Sequence, residues 1–586
     1  MTIFDVLSLL CGLALFLYGM EVMGDALKKS AGSSLKTILG KMTSNPVKGF
    51  LLGLAVTAVI QSSSATTVMV VGFVNSGTMT LLQAVGVIMG ANVGTAVTSW
   101  LTGLSGLGAG AEAALGIIKW LKPDSWMPIL AVIGICLIMF VKRGKKKDVG
   151  SILLGFAVLM VGMSMMSDAV SGLAGDENFR NILIMFENPI LGVLAGLVLT
   201  AIVQSSSASV GILQSLTVTG AITYGAAIPI VMGQNIGTCV TALLSALSAN
   251  KNGKRAAIVH LYFNIIGVVV VLALFYVINA FLNMAFVHYA IDMWGVALVH
   301  TVFKIISVAL LGPFYKQLAR LAELTIRDKK DDDETVNLLD ERLLETPTVA
   351  VARATEVTAM MAEISTDVLL KSLTLCENYD PKLANEIRDG ENRVDVLEDA
   401  LGSYLVKITL GSMNEVDSRQ ITKLLHLIGD LERISDHAVD IVESCEELKE
   451  KKIVFSQEAQ NELAVLRRAI HDIVEVTNGV CQSNDLIQAA EVEPIEQVVD
   501  GLIEQIKLNH ILRLQKSECT IELGFVLNDL MASFSRVSDH CSNVAGCIIE
   551  ISRYGALDMH KYLQSIKAGS EEFEQKFNAY KRKYSI

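Results

Sequence analysis

Two short strings place polar groups where an apolar sequence has little use for them. Residues 61–67 read QSSSATT and residues 204–210 read QSSSASV, 143 residues apart. The first offers Gln61, Ser62, Ser63, Ser64 and Thr66; the second offers Gln204, Ser205, Ser206, Ser207 and Ser209. Amide and hydroxyl donors, beside the free N–H groups of a helix N-terminus, suit an oxyanion such as phosphate. The oxygens of the same side chains, with backbone carbonyls, suit a hard cation such as sodium. Downstream, GANVGTAVT (90–98) matches GQNIGTCVT (233–241) at the same offset. Asn92, Thr95, Asn235 and Thr238 could therefore complete the lining. Small residues also let membrane helices pack closely, but packing alone does not ask for a duplicated Gln and Asn.

The match between the copies is long. Asp25 meets Asp168, Pro46 meets Pro189, Gly53 meets Gly196, Thr57 meets Thr200 and Gly77 meets Gly220. Such regularity implies a duplicated structural unit. The 586 residues also divide by charge: residues 1–325 carry 19 basic and 12 acidic side chains, and the remainder 29 and 48. Long uncharged apolar runs fill the first half, and dense charge fills the second. A membrane domain followed by a soluble domain is the reading. Nine scattered cysteines form no CxxC pair, which supports neither disulfides nor zinc. The first apolar run lacks a basic leader, so it reads as a retained span and not a signal peptide.

Spans are expected near 4–24, 83–103, 126–141, 150–170, 225–248, 256–280 and 291–313. The QSSS segments, about 48–75 and 191–218, are broken by Ser, Thr and Gly and read as re-entrant helical hairpins, because unwound backbone survives at membrane depth only where protein or a cavity covers it. Basic clusters at Lys28, Lys29, Lys36, Lys41 and Lys48, at Lys142, Arg143 and Lys145–Lys147, and at Lys251, Lys254 and Arg255 mark the cytoplasmic side. The N-terminus then lies outside and the C-terminal half inside. Three spans separate the copies, an odd number, so they should be inverted. Inverted repeats with discontinuous polar segments at the midplane are the plan of secondary transporters.

Some classes are disfavoured. No GxxxxGK[ST] string is present, so the chain carries no P-loop of its own. No nucleophile–base pair stands out, so an enzyme is not expected. No carboxylate sits deep in a span, which favours sodium over proton coupling. A weaker echo, His260-x-x-Phe263-Asn264 and His300-x-x-Phe303-Lys304, opens two late spans. Lys304 is a candidate anion partner, against the alternative that it snorkels to the surface.

These features resemble the type II sodium–phosphate cotransporter family over about residues 5–313. The resemblance implies that Gln61–Thr66 and Gln204–Ser209 line phosphate and sodium sites, with Asn92, Thr95, Asn235 and Thr238 as neighbours. In relatives the late H-x-x-F element usually continues with Asn, a pattern from which Lys304 departs.

Beyond a charged linker, RDKKDDDE (327–334), long amphipathic helices are expected near 347–376, 380–409, 414–450, 456–484, 486–514 and 519–554, with a tail helix near 558–582. DLERISDHAVDI (430–441) echoes SFSRVSDHCSNV (533–544). Acids four residues apart share a helix face at Glu391 and Asp395, Glu432 and Asp436, and Glu496 and Asp500. The repeat resembles the PhoU family, in which such clusters can bind metal ions. That implies a divalent metal at these positions, with Asp539 in the second copy, where Ser535 replaces the acid that Glu432 supplies. The alternative is a solvated acidic face salt-bridged through Arg433 and Arg536. The negative charge of this half argues against nucleic acid as a partner.

The sequence therefore reads as an all-α chain. Residues 1–325 would form a polytopic membrane domain of two inverted repeats (about 5–141 and 150–313) with re-entrant hairpins, 326–344 a charged linker, and 345–586 a cytoplasmic PhoU-like bundle. The resemblance implies a multi-pass inner-membrane sodium:phosphate symporter, with sodium as co-substrate, no required cofactor, and a homo-oligomer or regulatory protein as partner through the bundle. A phosphate exporter, a carrier of another oxyanion and a phosphate sensor without net transport are the rivals.

Overall fold

The computed structural model describes residues 3–39, 46–106, 123–141, 145–327, 338–411, 413–554 and 571–586. The linker acids 331–334, Lys41, Lys142, Arg143 and the start of the expected tail helix lie outside them. Among the described residues the structure is helical throughout, with one isolated bridge between Thr223 and Ala290. The chain divides into two compact units, Met1–Val349 and Ala350–Ile586.

The first unit begins with α1 (Ile3–Leu39), followed by a hairpin of α2 (Pro46–Ile60) and α3 (Ser63–Asn75). Next come α4 (Leu81–Gly94), α5 (Ala96–Gly103), α6 (Pro123–Phe140) and α7 (Lys145–Ser171). The order then repeats: a short α8 (Glu177–Met185), a hairpin of α9 (Pro189–Val203) and α10 (Ser206–Leu216), then α11 (Tyr224–Gly237) and α12 (Cys239–Ser245). The unit continues with α13 (Lys251–Leu282), α14 (Met293–Leu311) and α15 (Tyr315–Thr325). Among the described residues six helices are long and apolar enough to cross a membrane, or seven if the bent pair α8–α9 counts as one. Large apolar side chains such as Phe281, Phe140 and Ile202 are exposed on this unit, as expected of a surface meant for lipid rather than water. The hairpin helices are about 17–23 Å long, too short to cross the ~30 Å hydrocarbon core.

The expected spans 83–103 and 225–248 correspond to Leu81–Gly106 and Tyr224–Ser245, each long enough to cross a membrane. Each is interrupted at a single residue, Thr95 or Thr238, the last of its G-x-N-x-G-T string. Each Thr turns its hydroxyl back onto the helix, Thr95 to the Ala91 carbonyl at 3.2 Å and Thr238 to the Gln234 carbonyl at 3.0 Å. That back-bonding bends helices. The glycine before each Thr lets a hairpin close in. A Cβ on Gly94 would stand 2.8 Å from Thr57 Cβ, and one on Gly237 2.7 Å from Thr200 Cβ. Gly53 and Gly90 join α2 to α4 backbone against backbone, as Gly196 and Gly233 join α9 to α11.

The hairpins meet opposite ends of α13. At its start, the Asn250 N–H donates to Asn75 Oδ1 at 2.6 Å and Asn250 Nδ2 to the Asn75 carbonyl at 2.7 Å. Near its far end, the Tyr276 hydroxyl donates to the Glu187 carbonyl at 3.4 Å, and Glu187 Oε1 accepts from Thr223 Oγ1 at 2.8 Å. A strap at residues 338–346 closes over the first of these ends. Asp340 accepts from Asn75 Nδ2 at 2.5 Å, Arg342 Nε donates to the Ser245 carbonyl at 2.8 Å, and Leu343 is fully buried beside Gly72.

The second unit is a bundle of α16 (Pro347–Leu375), α17 (Pro381–Thr409), α18 (Glu415–Lys451), α19 (Gln457–Ser483), α20 (Leu486–Ala489), α21 (Val492–Gln515), α22 (Ile521–Tyr554) and α23 (Glu571–Lys583). Its longer helices turn apolar stripes inward; Ile470, Val499, Ile506, Phe534 and Cys541 meet in the shared core. The single helix expected over 486–514 is two, because Pro494 has no N–H for the Ala490 carbonyl and the chain breaks just before α21.

Candidate functional site

Each hairpin tip is built from the first two residues of its string. Gln61 and Gln204 take the left-handed conformation, with φ of 59° and 55°, and end the incoming helix. Their N–H groups donate to the carbonyls of Thr57 and Thr200 at 2.8 and 2.7 Å. Ser62 and Ser205 then cap the outgoing helices, accepting from Ala65 N at 3.1 Å and Ala208 N at 3.2 Å. A hydroxyl pair crosses each hairpin behind the tip: Thr57 to Thr66 at 3.1 Å, and Thr200 to Ser209 at 2.8 Å. Two helix N-termini, α3 and α10, thus start inside the unit with Ser63, Ser206 and Ser207 buried and Ser62, Ser64 and Ser205 partly exposed. Such N-termini attract anions.

The two tips differ. Gln61 is buried, accepting from Thr98 Oγ1 at 2.9 Å and donating to the Ala58 carbonyl. Gln204 is exposed, and Thr241, the counterpart of Thr98, bonds its own Thr238 carbonyl at 2.9 Å instead. The glutamine of the first string is therefore held inside the unit, and that of the second is not.

Among the described residues no hydrogen bond joins the two strings directly. Helix α5 links them. Its Thr98 holds Gln61, and its Thr102 donates to Gln214 Oε1 at 2.6 Å on the second hairpin. Gln214 is fully buried and also donates to the carbonyls of Ser99 and Met293, both at 3.0 Å. Ser99 pairs with His300 Nδ1 at 2.8 Å. Gln214 has no polar counterpart in the first copy, where Val71 stands; repeat comparison passes over it, and a Gln in an apolar run was the only signal.

Asn92 and Asn235, matched in sequence, do different things. Asn92 donates to Asn264 Oδ1 at 2.8 Å, and its own carbonyl accepts from Lys304 Nζ at 2.6 Å. Asn235 donates to the Val231 carbonyl of its own helix at 2.8 Å. Beside it Gln234 donates to the Ser209 carbonyl at 2.9 Å, while its buried Oε1 has no partner among the described residues. The late H-x-x-F element thus joins the first copy's site through Asn264, His300 and Lys304.

In the second unit the acids fall into two neighbourhoods. Burial, then Asp436 and Asp395, raises the Glu391 carboxyl above its usual range. Burial, then Asp436, pushes Glu432 up to about 7. Burial, then Asp539, raises Asp500, which also shares a hydrogen bond with Glu496. Yet among the described residues no three His, Cys, Asp or Glu side chains are grouped to hold a metal ion. Arg536 pairs with Asp539 at 3.7 Å, and Arg433 offsets part of the Glu432 shift.

A Na+/Pi-cotransporter family model matches residues 15–168 and 158–296, and a PhoU domain model matches residues 358–445. The YjbB protein of Escherichia coli, provisionally named for inorganic phosphate export, is 24% identical over 93% of this chain and 97% of its own. The YqeW protein of Bacillus subtilis is 32% identical over 44% of this chain and 78% of its own. The human sodium-dependent phosphate transport protein 2B is 39% identical over 21% of this chain and 19% of its own. No solved structure matches.

Proposed function

Because this chain belongs to the Na+/Pi-cotransporter family, we propose that it is a secondary carrier of inorganic phosphate driven by sodium, with phosphate held between the two hairpin tips. The observation that carries this reading is the twin construction at Gln61–Ser62 and Gln204–Ser205: a left-handed stop, a serine cap and a fresh helix N-terminus aimed inward. Gln61, Ser62, Ser63, Ser64 and Thr66 on one side, and Gln204, Ser205, Ser206, Ser207 and Ser209 on the other, supply donors to the phosphate oxygens. Asn92, Thr95, Asn235 and Thr238 sit at the breaks of the next spans, where freed carbonyls suit sodium.

Alternating access follows from the hairpins' placement at opposite ends of α13, which supports inverted repeats. Opening one hairpin would admit phosphate from one side, and opening the other would release it on the opposite side. In this reading the ends near Asn75 and Asn250 face the cytoplasm, with the PhoU-like unit, whose role is to regulate flux. One observation favours a second direction: relatives matched along 97% of their length carry a phosphate-export name. Sodium and phosphate would then leave the cell side through the same tips.

The test is uptake of radiolabelled phosphate by proteoliposomes under an inward sodium gradient, beside an equal potassium gradient. Sodium-driven uptake that vanishes in the double variant Gln61→Ala, Gln204→Ala is the expected result. Sodium-independent flux would remove the coupling, and binding without flux would make the protein a sensor.

A further inference from the structure

Lys304 is a buried lysine of the first unit. It lies in the middle third of α14, about 17 Å from its start. It is 3% exposed, so its side chain does not snorkel to a surface. Among the described residues it forms no ion pair, and its one hydrogen-bond partner is the carbonyl of Asn92 at 2.6 Å. Burying an ammonium without a counter-charge is costly, and in membrane units such groups mark pathways for ions or substrates.

The carbonyl it holds is informative. Asn92 is in the last turn of α4, just before the break at Thr95. Carbonyls at such a C-terminal end are partly negative and underused, and a broken helix presents them as ligands for a hard cation. The side chain of Asn92 is fixed from the other side by Asn264 Oδ1 at 2.8 Å. Asn264 and Lys304 occupy the same place in the internal echo, each four residues after a histidine, one neutral and one charged. In the second copy, among the described residues, the Asn235 carbonyl takes its side-chain contact from the Cys239 thiol, at 3.9 Å, and not from an ammonium.

We propose that Lys304 is a resident cation of the transport site, standing in for one sodium ion at the broken end of α4 and giving the carried anion a fixed positive charge. Two of its three N–H donors remain for that anion. The proposal rests on phosphate being the cargo.

The test uses the full chain in proteoliposomes, with radiolabelled inorganic phosphate and varied sodium. Lys304→Gln keeps a donor for the Asn92 carbonyl and a similar length but loses the charge; Lys304→Met loses both; Lys304→Arg keeps the charge. The neutral variants should raise half-saturating phosphate about tenfold or more, the worth of one charge-assisted hydrogen bond. Lys304→Met, which leaves the Asn92 carbonyl without a donor, should also raise the apparent order in sodium by about one, because a sodium ion takes the vacated carbonyl. Lys304→Arg should keep the wild-type order. A purely structural lysine would change the amount of folded protein and leave both per-molecule quantities where they were; that result for Lys304→Gln overturns the proposal. Wild-type protein that moves no phosphate would instead overturn the carrier reading, which separates the two failures.

Discussion

A single glutamine behaves differently in each hairpin, although the strings are near copies. Gln61 is packed and bonded to Thr98, whereas Gln204 is exposed. Gln61→Ala strands a buried hydroxyl, so it should cost about 1–3 kcal/mol of stability besides impairing flux. Gln204→Ala should stay within about 0.5 kcal/mol of wild type while lowering phosphate flux as strongly; thermal unfolding beside flux in the same preparations separates the effects. Glu432 offers a residue-scale test in the second unit. Burial and Asp436 raise its carboxyl from an ordinary 4.5 to about 7, so the folded state binds its proton more tightly than the unfolded state. Its contribution is therefore fully present below pH 4.5 and is lost as pH rises toward 7. Glu432 is partly open to solvent, which screens the effect to about 1 kcal/mol. Glu432→Gln should stabilise the second unit's melting transition at pH 8 by about 2–4 °C and have little effect at pH 4.5, as calorimetry at the two pH values would show.

Helix pairs show how much was legible before the structure. The hairpins were readable because Ser, Thr and Gly interrupt an apolar run twice at a fixed offset, and the observed helices Pro46–Asn75 and Pro189–Leu216 begin and end within two residues of the expected segments. The breaks at Thr95 and Thr238 were not read, since their effect comes from a side chain turning back on its own helix and from a glycine meeting the neighbouring hairpin. Gln214 was missed for a different reason: only one copy needs the bond to α5. The glycines yield a prediction at this scale. A Cβ on Gly53 or Gly196 would collide with the backbone of α4 or α11 rather than with a movable side chain. Gly53→Leu and Gly196→Leu should each push a hairpin off its partner helix and cost more than about 3 kcal/mol, read as loss of folded protein on size-exclusion chromatography. Gly172→Leu, where nothing stands within 4 Å of the added carbon, should behave as wild type.

At the scale of the molecule, direction becomes a question of energy. A secondary carrier is reversible, and each sodium ion moving down a tenfold gradient supplies about 1.4 kcal/mol in whichever sense the gradient points. The tips themselves therefore cannot choose import or export; any preference must come from something that treats the two sides differently. The hairpins share a backbone plan but differ at Gln61 and Gln204, and the chain also carries a second unit with its own buried core. A chain ending at Val349 keeps the strap at Asp340, Arg342 and Leu343 and every residue assigned to the tips. It should fold and carry phosphate inward or outward as the sodium gradient is reversed, with rates equal within about threefold, a free-energy difference below about 1 kcal/mol. The full chain should show a larger asymmetry when its orientation in the liposome is fixed. Equal asymmetry in both would place the rectifier among the membrane helices. A folded but inactive truncated chain would make the second unit part of the carrying machinery itself.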